Sequence, residues 1–219
     1  MKSKGYFITF EGPEGSGKTT HSNLLRDFLE TQGYPVLKTR EPGGTEISEN
    51  IRNILLNPMY STITAETELF LYLAARAQHV IEKIKPALEN GFIVICDRFT
   101  DASLAYQGFA RGFGIEKIYE LNRLATRGVL PDVTFLMAID VERGLLKARH
   151  SKNEFLTNDL GDRIEMEDIS FHKKVFEGYK TIAKLETERV HTISVADRSI
   201  EKIQSIIKEI VLSKLKDAY

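Results

Sequence analysis

The stretch Gly12-Pro13-Glu14-Gly15-Ser16-Gly17-Lys18-Thr19 constrains this chain more than any other, because it fills every fixed position of the pattern G-x-x-x-x-G-K-[ST]. Such a loop closes a buried strand and opens a helix, so that consecutive backbone N–H groups curl around an anion at the helix N-terminus. The flanks supply that setting. Tyr6-Phe7-Ile8-Thr9-Phe10 is a β-branched and aromatic run of strand type, and Leu24, Leu25, Phe28 and Leu29 recur with helical period up to Gly33. The expectation is a nucleoside triphosphate held by Gly12 through Thr20, with the Lys18 ammonium on its β- and γ-oxygens and the Thr19 hydroxyl on Mg²⁺.

Further strand-like runs at Val36 to Thr39, Phe92 to Cys96, Val133 to Ile139 and Val190 to Val195 alternate with helical patterns. That alternation predicts a three-layer α/β/α fold around a five-stranded parallel sheet. A length of 219 residues, 42% of them hydrophobic, suits a single domain over 1–219. The last helix sets Ile200, Ile203, Ile207, Ile210 and Val211 on one face, as packing against a sheet requires. Ser151 to Gly161 is polar and poor in periodicity, and reads as a mobile surface segment. A net charge of -1 gives no broad basic surface for nucleic acid. No apolar run reaches the roughly 18 residues of a membrane span, and the N-terminus enters a strand without a signal segment, so a soluble cytoplasmic protein is expected. Cys96, the single cysteine, lies in an apolar run and reads as a buried hydrophobe.

A second cluster gives the chemistry its direction. The run Phe92 to Cys96 ends in Asp97-Arg98, placing a carboxylate and a guanidinium at the C-terminal edge of a buried strand, where open α/β sheets bind ligands. Asp97 is a candidate for holding Mg²⁺ or for accepting hydrogen bonds from an acceptor. Arg98, Arg40, Arg52 and Arg76 fall near strand ends or on the helices that follow, and a planar guanidinium matches a phosphate with two parallel hydrogen bonds. Several together suit a phosphorylated acceptor. Glu14 would repel phosphates if it faced them, so it is expected to point away and to accept from a sugar hydroxyl of that acceptor.

These residues resemble the thymidylate kinase family over nearly the whole chain. The resemblance rests on the glycine loop with an acid at its third position, Thr39 to Thr45, Leu71-Tyr72-Leu73-Ala74-Ala75-Arg76, Asp97-Arg98-Phe99 through Tyr106-Gln107-Gly108, and Asp162-Arg163-Ile164-Glu165. It implies transfer of the ATP γ-phosphoryl to dTMP, giving dTDP. It further implies Glu14 on the deoxyribose 3′-hydroxyl, Arg40 and Arg98 on the dTMP phosphate, and Tyr72 stacked on thymine in place of the family's usual phenylalanine. Arg76 and Gln107 then address the polar edge of the base, Ser103 lines the pocket, and Tyr106 fills the space a 2′-hydroxyl would need. A homodimer through the helices near Glu66 to Leu88 and Ile115 to Arg127 is also implied.

The lid is where the chain departs most from these relatives. Family members without an arginine in the glycine loop carry an arginine-rich lid, and this chain has Arg149, His150, Lys152 and, after an insertion, Arg163 across a lid at 149–163. A fork of donors holds two oxygens where an ammonium holds one, so Arg163 is the expected cation on the transferring phosphoryl and Arg149 its companion on the ATP side. Ala196 and Arg198 resemble the family's other adenine-side contact. The alternatives are a kinase for another nucleoside monophosphate or a deoxynucleoside, and a nucleotide-dependent switch. A nucleoside kinase would need a base for the 5′-hydroxyl, and a switch would leave the second-cluster arginines idle.

Overall fold

A computed structural model describes residues 5–153, 162–196 and 198–218, with backbone alone for 149–153 and 217–218. The chain runs β1 (Tyr6–Glu11), α1 (Lys18–Thr31), β2 (Val36–Arg40), α2 (Glu46–Leu56), α3 (Ala65–His79), a π turn (Val80–Ile84) and α4 (Lys85–Glu89). It continues through β3 (Ile93–Asp97), α5 (Thr100–Ser103), a second π turn (Leu104–Ala110), α6 (Ile115–Thr126), β4 (Val133–Ala138), α7 (Val141–Asn153), α8 (Ile169–Leu185), β5 (Val190–Ser194) and α9 (Ile200–Ala218). The strands form one parallel sheet in the order β2-β3-β1-β4-β5.

Every residue of β1 is buried, and the strand's period of two feeds two separate layers. Ile8 and Phe10 join Leu25 and Leu29 of α1 and Ile203, Ile207, Val211 and Leu215 of α9 on one face. Phe7 turns to the other face, against Val80, Ile84, Val94 and Phe99. Each such side chain contributes about 1.5–3 kcal/mol on full burial. The α9 stripe begins a turn later than its sequence suggests: Ile200 remains 49% exposed, because it opens the helix beyond the sheet's reach. Cys96 is fully buried, its Sγ donating to the Arg98 carbonyl.

Winding leaves β1 for the β2 edge, returns through β3 and then crosses to β4 and β5, so its direction reverses at β1. The loop after β1 therefore stands at the switch point of the sheet, where ligands bind. Phe10 and Arg40 both lie opposite Asp97 in register, which brings the ends of β1, β2 and β3 level and puts Gly12, Glu41 and Arg98 just beyond one edge.

The first turn of α7 lies against the glycine loop. A Cβ on Gly15 (φ +66°) would stand 2.0 Å from the Gly144 carbonyl oxygen, and one on Gly144 would stand 2.4 Å from that of Glu14. Helical backbone continues to Asn153, so the polar segment expected from Ser151 begins as the end of α7, and residues 154–161 lie outside the described residues.

Candidate active site

Gly17, left-handed at φ 84°, delivers the chain into α1, and Lys18 is the first residue of the helix. Its ammonium is buried and donates to the carbonyls of Pro13 at 2.7 Å and Gly12 at 3.1 Å and to the Ser16 hydroxyl at 3.4 Å. Burial pushes the Lys18 ammonium below its ordinary pKa, Arg98 adds to the effect, and Glu14 and Asp97 oppose it. Thr19 donates its hydroxyl to Asp97 Oδ2 at 2.6 Å, joining the loop to the end of β3. These two hard oxygen donors suit Mg²⁺, which takes few protein ligands and completes its shell with phosphate and water. Among the described residues no group of three or more His, Cys, Asp and Glu side chains stands ready to hold a metal alone.

Two adjoining cavities open at this edge. One, of about 450 Å³, is lined by Glu14, Gly15 and Gly17 to Thr20 together with Arg40, Asp97, Lys147 and Ala148. The other, of about 320 Å³, is lined by Tyr72, Arg76, Ser103, Tyr106, Gln107, Asp162 and Ile164 among others. Glu14, Thr19, Glu41, Arg52, Arg98 and Glu165 line both, so the two form one continuous site.

Arg98 sits at the junction. Its Nη1 donates to the Gly12 carbonyl and to the Tyr179 hydroxyl, each at 3.0 Å, and its Nη2 pairs with Glu14. The guanidinium carbon lies 5.3 Å from the centroid of the Tyr106 ring, a cation–π contact. Burial works against this charge and the Glu14 carboxylate outweighs it, leaving the Arg98 pKa well above its ordinary value. Glu14 thus turns out of the loop toward Arg98 and the Tyr106 hydroxyl at 3.4 Å, which relieves the repulsion its position threatened.

Arg76 is 2% exposed, reaches the wall of the acceptor cavity and makes four hydrogen bonds: it donates to Glu41 at 2.8 Å, Ser103 at 2.8 Å, Asn122 at 2.6 Å and the Phe99 carbonyl at 2.9 Å. The second Glu41 oxygen lies 3.0 Å from His79 Nδ1. Burial works to raise the Glu41 carboxyl, and Arg76 with His79 outweighs it, holding the group below the usual carboxylate range. Gln107 gives its amide to Glu68 at 2.9 Å, and burial pushes the Tyr72 and Tyr106 phenols above their ordinary values.

Arg40 lines the loop-side cavity but is bound to Glu49 at 2.9 Å and 3.1 Å. Arg52 donates to the Pro42 carbonyl at 2.9 Å, and burial with the neighbouring Arg40 lowers its pKa, a crowding of positive charge that a bound anion would relieve.

Arg163 stands apart from the phosphate loop. Expected in the lid over the transferring phosphoryl, it is 8% exposed, donates to the Leu55 carbonyl at 2.9 Å and to Glu68 at 2.8 Å, and lines neither cavity. A buried carboxylate holds it, because Glu68 needs cations from both Arg163 and Arg111 to stay ionised away from water. The side chains of Arg149 and Lys152 lie outside the described residues. Ala196 and the exposed Arg198 follow β5 and line neither cavity. Residues that sequence reasoning missed include Glu165 and Asp162, whose motif was noticed only for its arginine, and Glu11, Glu41, Lys147 and Tyr179.

Known proteins resemble the chain over nearly its full length. Residues 10–207 match the family model described as thymidylate kinase. The thymidylate kinase of Geobacillus thermodenitrificans is 46% identical over 212 residues, covering 97% of this chain and 92% of that protein. A counterpart from Bacillus cereus is 45% identical over 212 residues, with 97% and 99% covered. The crystal structure of thymidylate kinase from Ehrlichia chaffeensis aligns with a TM-score of 0.75 at 34% identity, covering 95% of this chain and 98% of that one.

Proposed function

The chain belongs to the thymidylate kinase family, and from that membership we propose how its residues transfer the ATP γ-phosphoryl to dTMP, giving dTDP. Weight falls on the Arg98–Glu14 pair, which stands where the phosphate loop meets the acceptor cavity and so can sense both substrates. Phosphoryl transfer asks the protein for alignment and charge rather than covalent chemistry. The acceptor is a phosphate oxygen, already ionised at neutral pH, so no general base is required.

In this reading Lys18 exchanges its loop carbonyls for the β- and γ-phosphates, and the loop from Gly12 to Thr20 holds the rest of the triphosphate. Thr19 and Asp97 would hold Mg²⁺, which would supply positive charge against the triphosphate. Arg98, Arg40 and Arg52 hold the dTMP phosphate, Arg40 leaving Glu49 to do so. Glu14 accepts from the 3′-hydroxyl, Tyr72 stacks on thymine, Arg76 and Gln107 meet its polar edge, and Ser103 and Tyr106 close the sugar side. Arg149, on the last turn of α7, with Ala196 and Arg198, covers the ATP side.

Steady-state assays with dTMP, dUMP, dCMP and UMP test this assignment. The highest kcat/KM is expected for dTMP. Gln107→Ala should cost dTMP about 1–3 kcal/mol in transition-state binding and narrow its lead over dCMP. Equal efficiencies in the parent enzyme would sink the thymine assignment.

We further propose a homodimer in the cytoplasm. Helices α3 and α6 pack side by side, and Phe70 (62% exposed), Ile81 and Leu124 (77% exposed) leave an apolar surface there for a second copy. No helix among the described residues is long and apolar enough to cross a membrane. Sedimentation should report a dimer that Phe70→Glu with Leu124→Glu converts to monomer; an unchanged mass would place the interface elsewhere.

A further inference from the structure

Two buried groups at the turn that bears Arg98 have no part in the mechanism above. Glu11 ends β1 with no exposure to solvent, and its Oε1 accepts the backbone N–H of Phe99 at 2.7 Å. Its Oε2 accepts the hydroxyl of Tyr179, on α8, at 2.8 Å. That same hydroxyl accepts from Arg98 Nη1 at 3.0 Å, so one carboxylate governs both the backbone after Arg98 and the partner of its side chain. Arg98 has φ 67°, a left-handed conformation that a non-glycine residue keeps only where its surroundings impose it. The Arg98 N–H to the Phe10 carbonyl, 2.9 Å, fixes the turn from one side, and Glu11 on Phe99 fixes it from the other.

We propose that Glu11 and Tyr179 are positioning residues for phosphoryl transfer: through the Phe99 amide and the Tyr179 phenol they hold the Arg98 guanidinium between the phosphate loop and the acceptor cavity. The inference rests on the reading of Arg98 as the cation on the acceptor phosphate. Glu14 and the Gly12 carbonyl anchor the guanidinium, but both belong to the phosphate loop and would carry it with any shift of that loop. The phenol, on α8, supplies the anchor from outside that loop. A planar fork held from the loop and from α8 keeps its remaining donors aimed in one direction, and alignment is what this chemistry demands.

A double-mutant cycle on the full chain tests it. Tyr179→Phe removes one oxygen and retains the ring that packs edge-on against Tyr106, at 6.3 Å between centroids. It should lower kcat about 10- to 100-fold, the worth of a hydrogen bond to a charged group, with little change in KM for ATP. Glu11→Gln, which keeps the shape and one acceptor, should show the same split. In an Arg98→Ala background Tyr179→Phe should produce no further loss. An equal loss with and without Arg98, or a normal kcat for Tyr179→Phe beside an impaired Arg98→Ala, would overturn the positioning role alone. A lowered urea midpoint with kcat per folded molecule intact would likewise reduce Tyr179 to a structural residue. Normal turnover by Arg98→Ala would instead overturn the reading of Arg98 itself, and the positioning role with it.

Discussion

Lys18→Ala is expected to lower turnover on the order of 10²–10³-fold while the protein stays folded. Lys18 is the only cation within the glycine loop, and its ammonium already lies in the concavity, held by the Gly12 and Pro13 carbonyls. Burial that pushes its pKa down makes a phosphate a better partner than a neutral carbonyl, since an anion compensates the desolvated charge more fully. Saturating turnover, with circular dichroism as the folding check, measures the effect. A folded variant keeping more than about a tenth of parental kcat would move the catalytic site away from this loop.

Arg76→Met should show its largest effect in stability, about 3–5 kcal/mol, because it strands the Glu41 carboxylate in the interior. Three further groups lose their donor at the same time, the Ser103 hydroxyl, the Asn122 side-chain carbonyl and the Phe99 carbonyl. The pH dependence carries the sharper signature. In the parent, Glu41 lies below the ordinary carboxylate pKa, so its contribution is full above that value and is lost as the pH falls through the depressed native one. Without Arg76, burial dominates and raises the carboxyl; the native state then binds the extra proton, and stability falls as the pH rises. Urea midpoints should therefore be insensitive to Glu41 above the ordinary carboxylate pKa and fall below it in the parent, whereas in the variant they should fall as the pH rises above that value. Parallel slopes would show that Glu41 is not held by Arg76.

The architecture was legible because its signals are local. The β-branched and aromatic run of Tyr6 to Phe10 reports a buried strand, and the helical period of Ile203, Ile207 and Val211 reports a face, each without knowledge of the partner. Strand ends were harder: Glu11, Arg40 and Asp97 are paired in the sheet, yet a polar residue reads as the end of a buried run. The two π turns at Val80–Ile84 and Leu104–Ala110 add no composition signal that helical periodicity could separate from ordinary helix. The placement of Arg163 was not legible for a different reason. Its neighbours in sequence suggested a lid, whereas its partner Glu68 lies 95 positions away and only the folded chain brings them together. Tyr179 was missed likewise, since its hydroxyl answers to Glu11 at a separation of 168 positions.

The crossing of Gly15 and Gly144 bears on how this protein can be altered. Inside a helix alanine is favoured over glycine by about 1 kcal/mol, so α7 forgoes that preference at its fourth residue. What it gains is contact between bare backbones, which makes the donor loop and the helix leading to Lys147, Ala148 and Arg149 one solid piece. Gly144→Ala, the change a stabilisation campaign would choose first, would drive its methyl into the Glu14 carbonyl and push the loop off its helix. Neither glycine can be exchanged alone, and their joint freedom is narrower than that of either neighbour, although 129 positions separate them in the chain.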